Sequence, residues 1–114
     1  QIAEACIGGC LADVDIEWHD GACACVVLAS GGYPGHYAKG LPISGLDCLP
    51  AGVMAYPAGV KRNGAHFVTD GGRVLGVTAR GATLRDALGR AYNGVSRISF
   101  EDMHYRRDIG ARYI

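Results

Sequence analysis

The sequence predicts an α+β domain, an antiparallel β-sheet or meander covered by one long C-terminal helix, with a short helix at its N-terminus. Three observations carry that expectation. Ala22 to Ala29 is an apolar run with Val26, Val27 and Leu28 at its heart. Val53 to Ala79 divides into short apolar or alternating stretches separated by Asn63-Gly64 and Asp70-Gly71-Gly72, both turn signals. Behind Thr83, apolar residues recur at helical spacing. Strands followed by one covering helix make a layered α+β domain.

In chain order, Ile2 to Leu11 sets Ile2, Ala5, Cys6 and Cys10 along one helical stripe, with Gly8-Gly9 weakening its end. Asp13 to Trp18 alternates, Val14, Ile16 and Trp18 against Asp13, Asp15 and Glu17, the period of a half-buried strand. His19-Asp20-Gly21 turns the chain. Residues 1–20 are therefore read as a leading segment of one short helix and one strand, and 21–114 as the domain proper. The chain starts at Gln1 and not at methionine, as expected of a piece of something longer.

The run from Ala22 reads as a buried strand that ends abruptly at Ser30-Gly31-Gly32-Tyr33-Pro34-Gly35. Gly31, Gly32 and Gly35 permit positive φ, and Pro34 stiffens the bend. Successive glycine amides in such a bend can converge on an anion, and the ammonium of nearby Lys39 would strengthen the hold. The same pattern also serves as a plain turn. It is no phosphate-loop signature, since no Gly-Lys-Ser/Thr follows.

Gly40 to Pro50 reads as loop, with Leu41 and Ile43 turned inward. Val53 to Tyr56 is a strand, Lys61-Arg62-Asn63-Gly64 carries a hairpin signal that returns through Ala65 to Thr69, and Arg73 to Ala79 adds a further strand. Thr83 followed by Asp86 is a capping-box start, and Leu84, Ala87, Leu88, Ala91, Val95 and Ile98 form the buried stripe. Gly89 and Gly94 each cost this helix about 1 kcal/mol relative to alanine, so its stability must come from packing. Tyr92 reads as core edge.

Eleven basic and eleven acidic residues cancel, so no global field draws the chain to nucleic acid or to an anionic membrane, and neither is expected as a partner. No apolar span approaches the roughly 18 residues of a membrane helix. Five cysteines and no signal-peptide pattern point to free thiols in the cytoplasm. A zinc site built from Cys6, Cys10, Cys23 and Cys25 matches no standard ligand spacing, and no metal ligand is assigned. His36 and His104 have no carboxylate or thiol neighbour in sequence to make either a general base, so no catalytic residue is assigned.

The tail reads MHYRRDIGAR from Met103 to Arg112. The planar forks of Arg106 and Arg107 match a phosphate bidentately. Alternatively they are solvated, with Asp108 as an ion-pair partner.

The strings VVLASGGYPGHYAKG, GGRVLGVTARGATLRDALGRAY and MHYRRDIGAR, in this order, closely resemble the C-terminal domain of the glycinamide ribonucleotide synthetase family of ATP-grasp ligases. That resemblance implies one part of an enzyme that joins glycine to 5-phosphoribosylamine, forming glycinamide ribonucleotide, ADP and phosphate in purine biosynthesis. It implies ATP and magnesium bound by N-terminal and ATP-grasp domains outside this chain, no cofactor within it, and no turnover by the fragment alone. Those domains and 5-phosphoribosylamine are the implied partners. Arg106 and Arg107 match the family's Arg-Arg-Asp-Ile-Gly, implying contact with the ribose phosphate. Gly31, Gly32 and Tyr33 match its Ser-Gly-Gly-Tyr-Pro loop, Lys39 matches a lysine of the same string, and Arg73 lines the cleft or braces the sheet, the brace being preferred. The chain departs from the pattern at Pro57-Ala58-Gly59-Val60, where many members have a histidine before Ala-Gly-Thr; a hairpin displaced by the proline is one consequence. The other reading is a stand-alone binding or assembly module that keeps the fold and has lost the reaction.

Overall fold

The computed structural model describes residues 1–114. Ala22–Ala29 forms β1, which alternates: Ala24, Val26 and Leu28 point inward, while Cys23, Cys25 and Val27 face out. One face of the strand is therefore open, where the apolar run suggested burial on both. β1 pairs antiparallel with β6 (Arg73–Gly81), and β6 pairs on its other side with β3 (Val53–Pro57). The short strands β2 (Pro42–Ile43), β4 (Val60–Asn63) and β5 (His66–Thr69) make a second sheet in the order β2-β5-β4.

The α+β class is as expected, but the strands form two small antiparallel sheets and are not successive neighbours in one. The long apolar strands β1 and β6 find each other across the chain because each matches the other in length and inward pattern, Val26 beside Val77 and Leu28 beside Leu75. The β4–β5 hairpin forms with Asn63 opposite His66, so its two-residue loop is Gly64-Ala65. Gly64, at φ 61°, supplies the positive angle, and Asn63 closes the strand. Pro57 sits on an edge strand, where a missing N–H is tolerated, and pairing continues in register to Pro57 opposite Leu75. The hairpin is not displaced.

α2 (Leu84–Val95) covers the inner face of the first sheet. Its Thr83 side chain accepts from the Asp86 N–H at 3.1 Å, and the Asp86 carboxylate accepts from the Thr83 N–H at 3.2 Å, a complete capping box. Ala87, Leu88, Ala91, Gly94 and Val95 are buried. Ile98 is buried too, but beyond the helix end, where Ser99 bridges to Ser44. Val26, Leu28, Val74, Val77, Val95 and Phe100 form the centre of the main core.

The leading segment departs most from expectation. α1 (Ile2–Gly8) forms, but Ala5 is its one buried residue, and Cys6 and Cys10 are exposed. The strand expected over Asp13–Trp18 is absent: Leu11–Asp13 is a single 3₁₀ turn, and the residues after it pair with no strand. Trp18 is 89% exposed. Alternation produces a strand only where a neighbouring strand pairs with it, and here neither open edge of the first sheet, on β1 or on β3, takes up these residues. All five cysteines are free thiols, and all are exposed.

Candidate functional site

The loop after β1 is held by its first residue. Ser30 is buried; its N–H donates to the Gly72 carbonyl at 2.8 Å and its hydroxyl to the Gly71 carbonyl at 2.7 Å. These two bonds tie the loop to the turn before β6. The Tyr33 ring then lies so closely on Gly72 that no side chain fits there. Of Gly31, Gly32 and Gly35, Gly32 alone has positive φ, 90°. Gly31 is required for another reason, since a Cβ on it would stand 2.5 Å from the Asp102 Cβ in the tail. The Tyr33–Pro34 peptide is cis. The N–H groups of Gly31 and Gly32 donate to no protein acceptor.

A recess of about 570 Å³ opens beside this loop, lined by Val27, Tyr33, Tyr56, Pro57, Ala58, Gly59, Gly72, Arg73, Leu75 and Gly76. Arg73 is exposed on its rim and makes no ion pair, so of the two expected placements the lining one is observed and the preferred brace is not. No carboxylate is among the lining residues.

The tail closes on the same end of β1. Ala29 and His104 exchange backbone hydrogen bonds of 2.8 and 2.9 Å. Farther along, the Tyr92 hydroxyl on α2 donates to the Arg106 carbonyl at 2.8 Å and accepts from the Ile109 N–H at 3.1 Å. Gly110, at φ 73°, lets the backbone close on Leu88, whose Cδ1 a Cβ would meet at 2.7 Å. The tail is thus docked along its length, although its charged side chains are exposed.

The two arginines differ. Arg106 makes a bidentate pair with Asp108, Nε to Oδ1 at 2.9 Å and Nη2 to Oδ2 at 2.8 Å. The hydrogen bond and the opposite charge raise the pKa of Arg106 above the usual arginine value, and the hydrogen bond from Arg106 foremost holds the Asp108 carboxyl below the usual carboxylate range. Arg107 has no carboxylate partner; its guanidinium lies 5.2 Å from the centre of the Tyr105 ring. Arg106 therefore has the Asp108 ion pair of the alternative reading, and Arg107 is an exposed cation over an aromatic ring.

The residues singled out in the sequence fall into three places. Gly31, Gly32 and Tyr33 lie where loop, recess and tail meet. Arg106 and Arg107 lie farther along the tail and do not line the recess. Lys39 stands apart, 3.8 Å from Asp70, in a separate depression beside Lys61 and Arg62. Tyr92, Asp102 and Gly76 were missed. The one available signal was Tyr92, a hydroxyl-bearing residue at the margin of the apolar stripe. No three His, Cys, Asp or Glu side chains converge as metal ligands.

Comparison with known proteins gives the geometry its context. The family profile described as "Phosphoribosylglycinamide synthetase, C domain" matches residues 23–112. The phosphoribosylamine–glycine ligase of Clostridium acetobutylicum is 50% identical over 100 residues, covering 88% of this chain and 24% of that enzyme. That of Vibrio cholerae is 46% identical over 115 residues, covering 100% of this chain and 27% of the relative. The crystal structure of the Thermotoga maritima phosphoribosylamine–glycine ligase superposes with a TM-score of 0.75 at 34% identity, covering 94% of this chain and 27% of that one. The chain thus spans about a quarter of the length of its relatives. No helix in it is long and apolar enough to cross a membrane. By the match to its profile over most of its length, the chain belongs to the phosphoribosylglycinamide synthetase C-domain family.

Proposed function

We propose that this chain is the C-terminal, substrate-side domain of an ATP-dependent ligase that joins glycine to 5-phosphoribosylamine, and that its tail grips the sugar phosphate. In that reaction ATP phosphorylates the glycine carboxylate, the substrate amine displaces phosphate from the resulting acyl phosphate, and an amide forms. The rest of the ligase holds ATP and magnesium in this reading. No residue of this domain transfers a proton in the proposal; its task is binding and orientation.

Arg107 is the principal anion contact. The observation that supports it is the contrast within the motif: Arg106 is neutralised by Asp108, while Arg107 is docked by Tyr105 with no counter-charge. Arg106 retains its Nη1 hydrogens, because Asp108 engages Nε and Nη2. It can therefore add a second, weaker contact. The unpaired N–H groups of Gly31 and Gly32 supply further donors on the loop that the tail abuts. Residues 1–20 are the segment leading in from the rest of the enzyme, with 21–114 as the folding unit.

A domain swap tests the proposal. Replacing the matching quarter of the Clostridium acetobutylicum ligase with this chain is expected to restore glycinamide ribonucleotide formation to a truncated enzyme that lacks it, whereas the 114 residues alone give none. A swapped enzyme that folds and binds ATP without forming product would contradict the assignment and favour a module that has lost the reaction.

A further inference from the structure

We propose that the open edge of β1 pairs with the same edge of a second copy of this chain, antiparallel about a two-fold axis at Cys25, so that the first sheets of both copies become one continuous sheet. Ala29 turns both its N–H and its C=O away from β6, to His104, while Ser30 turns its N–H back to Gly72 beside β6. Strand backbone alternates with a period of two. Ala24, Val26 and Leu28 therefore bond to β6, and Cys23, Cys25 and Val27 present their N–H and C=O groups at the open edge. None of these three residues makes a backbone bond to a loop or to the tail.

The other sheet edges are guarded. β3 ends in Pro57, β2 is two residues long and begins with Pro42, and β4 carries Lys61 and Arg62. Proline, lysine and short length are the features that keep an edge from pairing with another chain. β1 is eight residues long and has neither a charge nor a proline. An edge left unguarded in this way is a template for a further strand.

The limits of the edge identify that strand. His104 takes the position beside Ala29, and at the other end Gly21, at φ 94°, turns the chain before β1 begins. Residues 22–28 are left free, and Cys25 is their centre. Laid antiparallel on itself, this stretch sets Cys25 opposite Cys25 and Cys23 opposite Val27. Ala22 then falls opposite Leu28, so neither copy runs into the other's His104. Each edge pair exchanges two backbone hydrogen bonds, and no like charges face one another. The acidic leading segment, with Asp13, Asp15 and Glu17, stays off this edge. A single strand edge buries far less than the roughly 1,600 Å² of a standard interface, so the pairing is weak and depends on concentration. The proposed function takes no part in this argument.

Two measurements on the 114-residue chain test it. In ¹⁵N spectra recorded from low concentration up to about 1 mM, the amides of Cys23, Cys25 and Val27 should shift and gain exchange protection as the chain dimerises, while those of Ala24, Val26 and Leu28 stay protected throughout. Cys25→Lys, which sets two ammonium groups opposite each other, should remain monomeric with a dispersed spectrum. Dibromobimane reads the register, because it joins two adjacent thiols through two S–C bonds, releasing two bromides, and then fluoresces. A variant that keeps only Cys25, the other cysteines replaced by serine, should be cross-linked into a dimer, since paired Cα atoms stand about 5.5 Å apart. A variant that keeps only Cys23 should not, because its two thiols lie four residues apart along the strand, roughly 13 Å. A chain still monomeric at about 1 mM, or equal cross-linking of the two variants, overturns the inference. Protection of the Cys25 amide that is independent of concentration would mean that a segment of the same chain covers the edge, and overturns it as well. So does a dimer whose shifts fall on the leading segment and spare β1.

Discussion

The hydroxyl of Tyr92 spans the arginine motif, donating to the carbonyl of Arg106 and accepting from the N–H of Ile109. One side chain on α2 thereby fixes both ends of the four-residue turn that carries Arg107 and Asp108. Tyr92 also packs against both core clusters, so the motif is referred to the interior of the domain. Tyr92→Phe keeps the ring and removes both bonds. We predict a loss of about 1 to 2 kcal/mol in denaturant unfolding, reduced where water replaces the lost partner, and faster hydrogen exchange at Ile109. Unchanged exchange at that amide would show that the hydroxyl does not hold the turn.

Gly89 and Gly94 are indistinguishable as helix breakers in the sequence, and the structure separates them. Nothing lies within 4 Å of a Cβ built on Gly89, whereas one on Gly94 would stand 2.5 Å from the Val53 Cγ1 and 3.1 Å from the Val77 Cγ1. Gly89→Ala should stabilise the domain by up to about 1 kcal/mol. Gly94→Ala should destabilise it by about 1 to 3 kcal/mol, because overpacking outweighs the propensity gain. Thermal or urea unfolding of the two variants checks both signs.

The Arg106–Asp108 pair makes a prediction in acid. A carboxyl whose folded pKa is depressed contributes stability above its unfolded pKa and loses it as pH falls through the folded value. The raised pKa of Arg106 acts only at extreme alkaline pH. Both side chains are exposed, so the contribution is small. Asp108→Asn should therefore cost a little stability near neutrality, with the difference vanishing below the Asp108 titration. Following the Asp108 carboxyl by NMR should place its midpoint below the ordinary carboxylate range; a midpoint within that range would contradict the pair.

Features with local causes were legible in the sequence. The Thr83–Asp86 box, the limits of β1 and the β4–β5 hairpin each depend on residues a few positions apart. Asp13–Trp18 misled because alternation records only the possibility of a sheet, and the partner strand is a tertiary fact. The site was legible in its pieces and not in its assembly. Tyr33 and Arg73 face one recess because β6 runs between β1 and β3 and brings Gly72 under the tyrosine ring, a contact across 39 positions. Lys39, close to the glycine loop in sequence, is carried away toward Asp70 and the second sheet. The inequality of Arg106 and Arg107 arises from where Asp108 and Tyr105 turn their side chains, which spacing does not encode.

The most direct test of the phosphate grip is the KM for 5-phosphoribosylamine of the domain-swapped ligase with and without Arg107→Ala. Losing one charge-assisted phosphate contact should raise that KM by about tenfold or more while the KM values for ATP and glycine stay unchanged. A KM for 5-phosphoribosylamine that does not move would contradict the account.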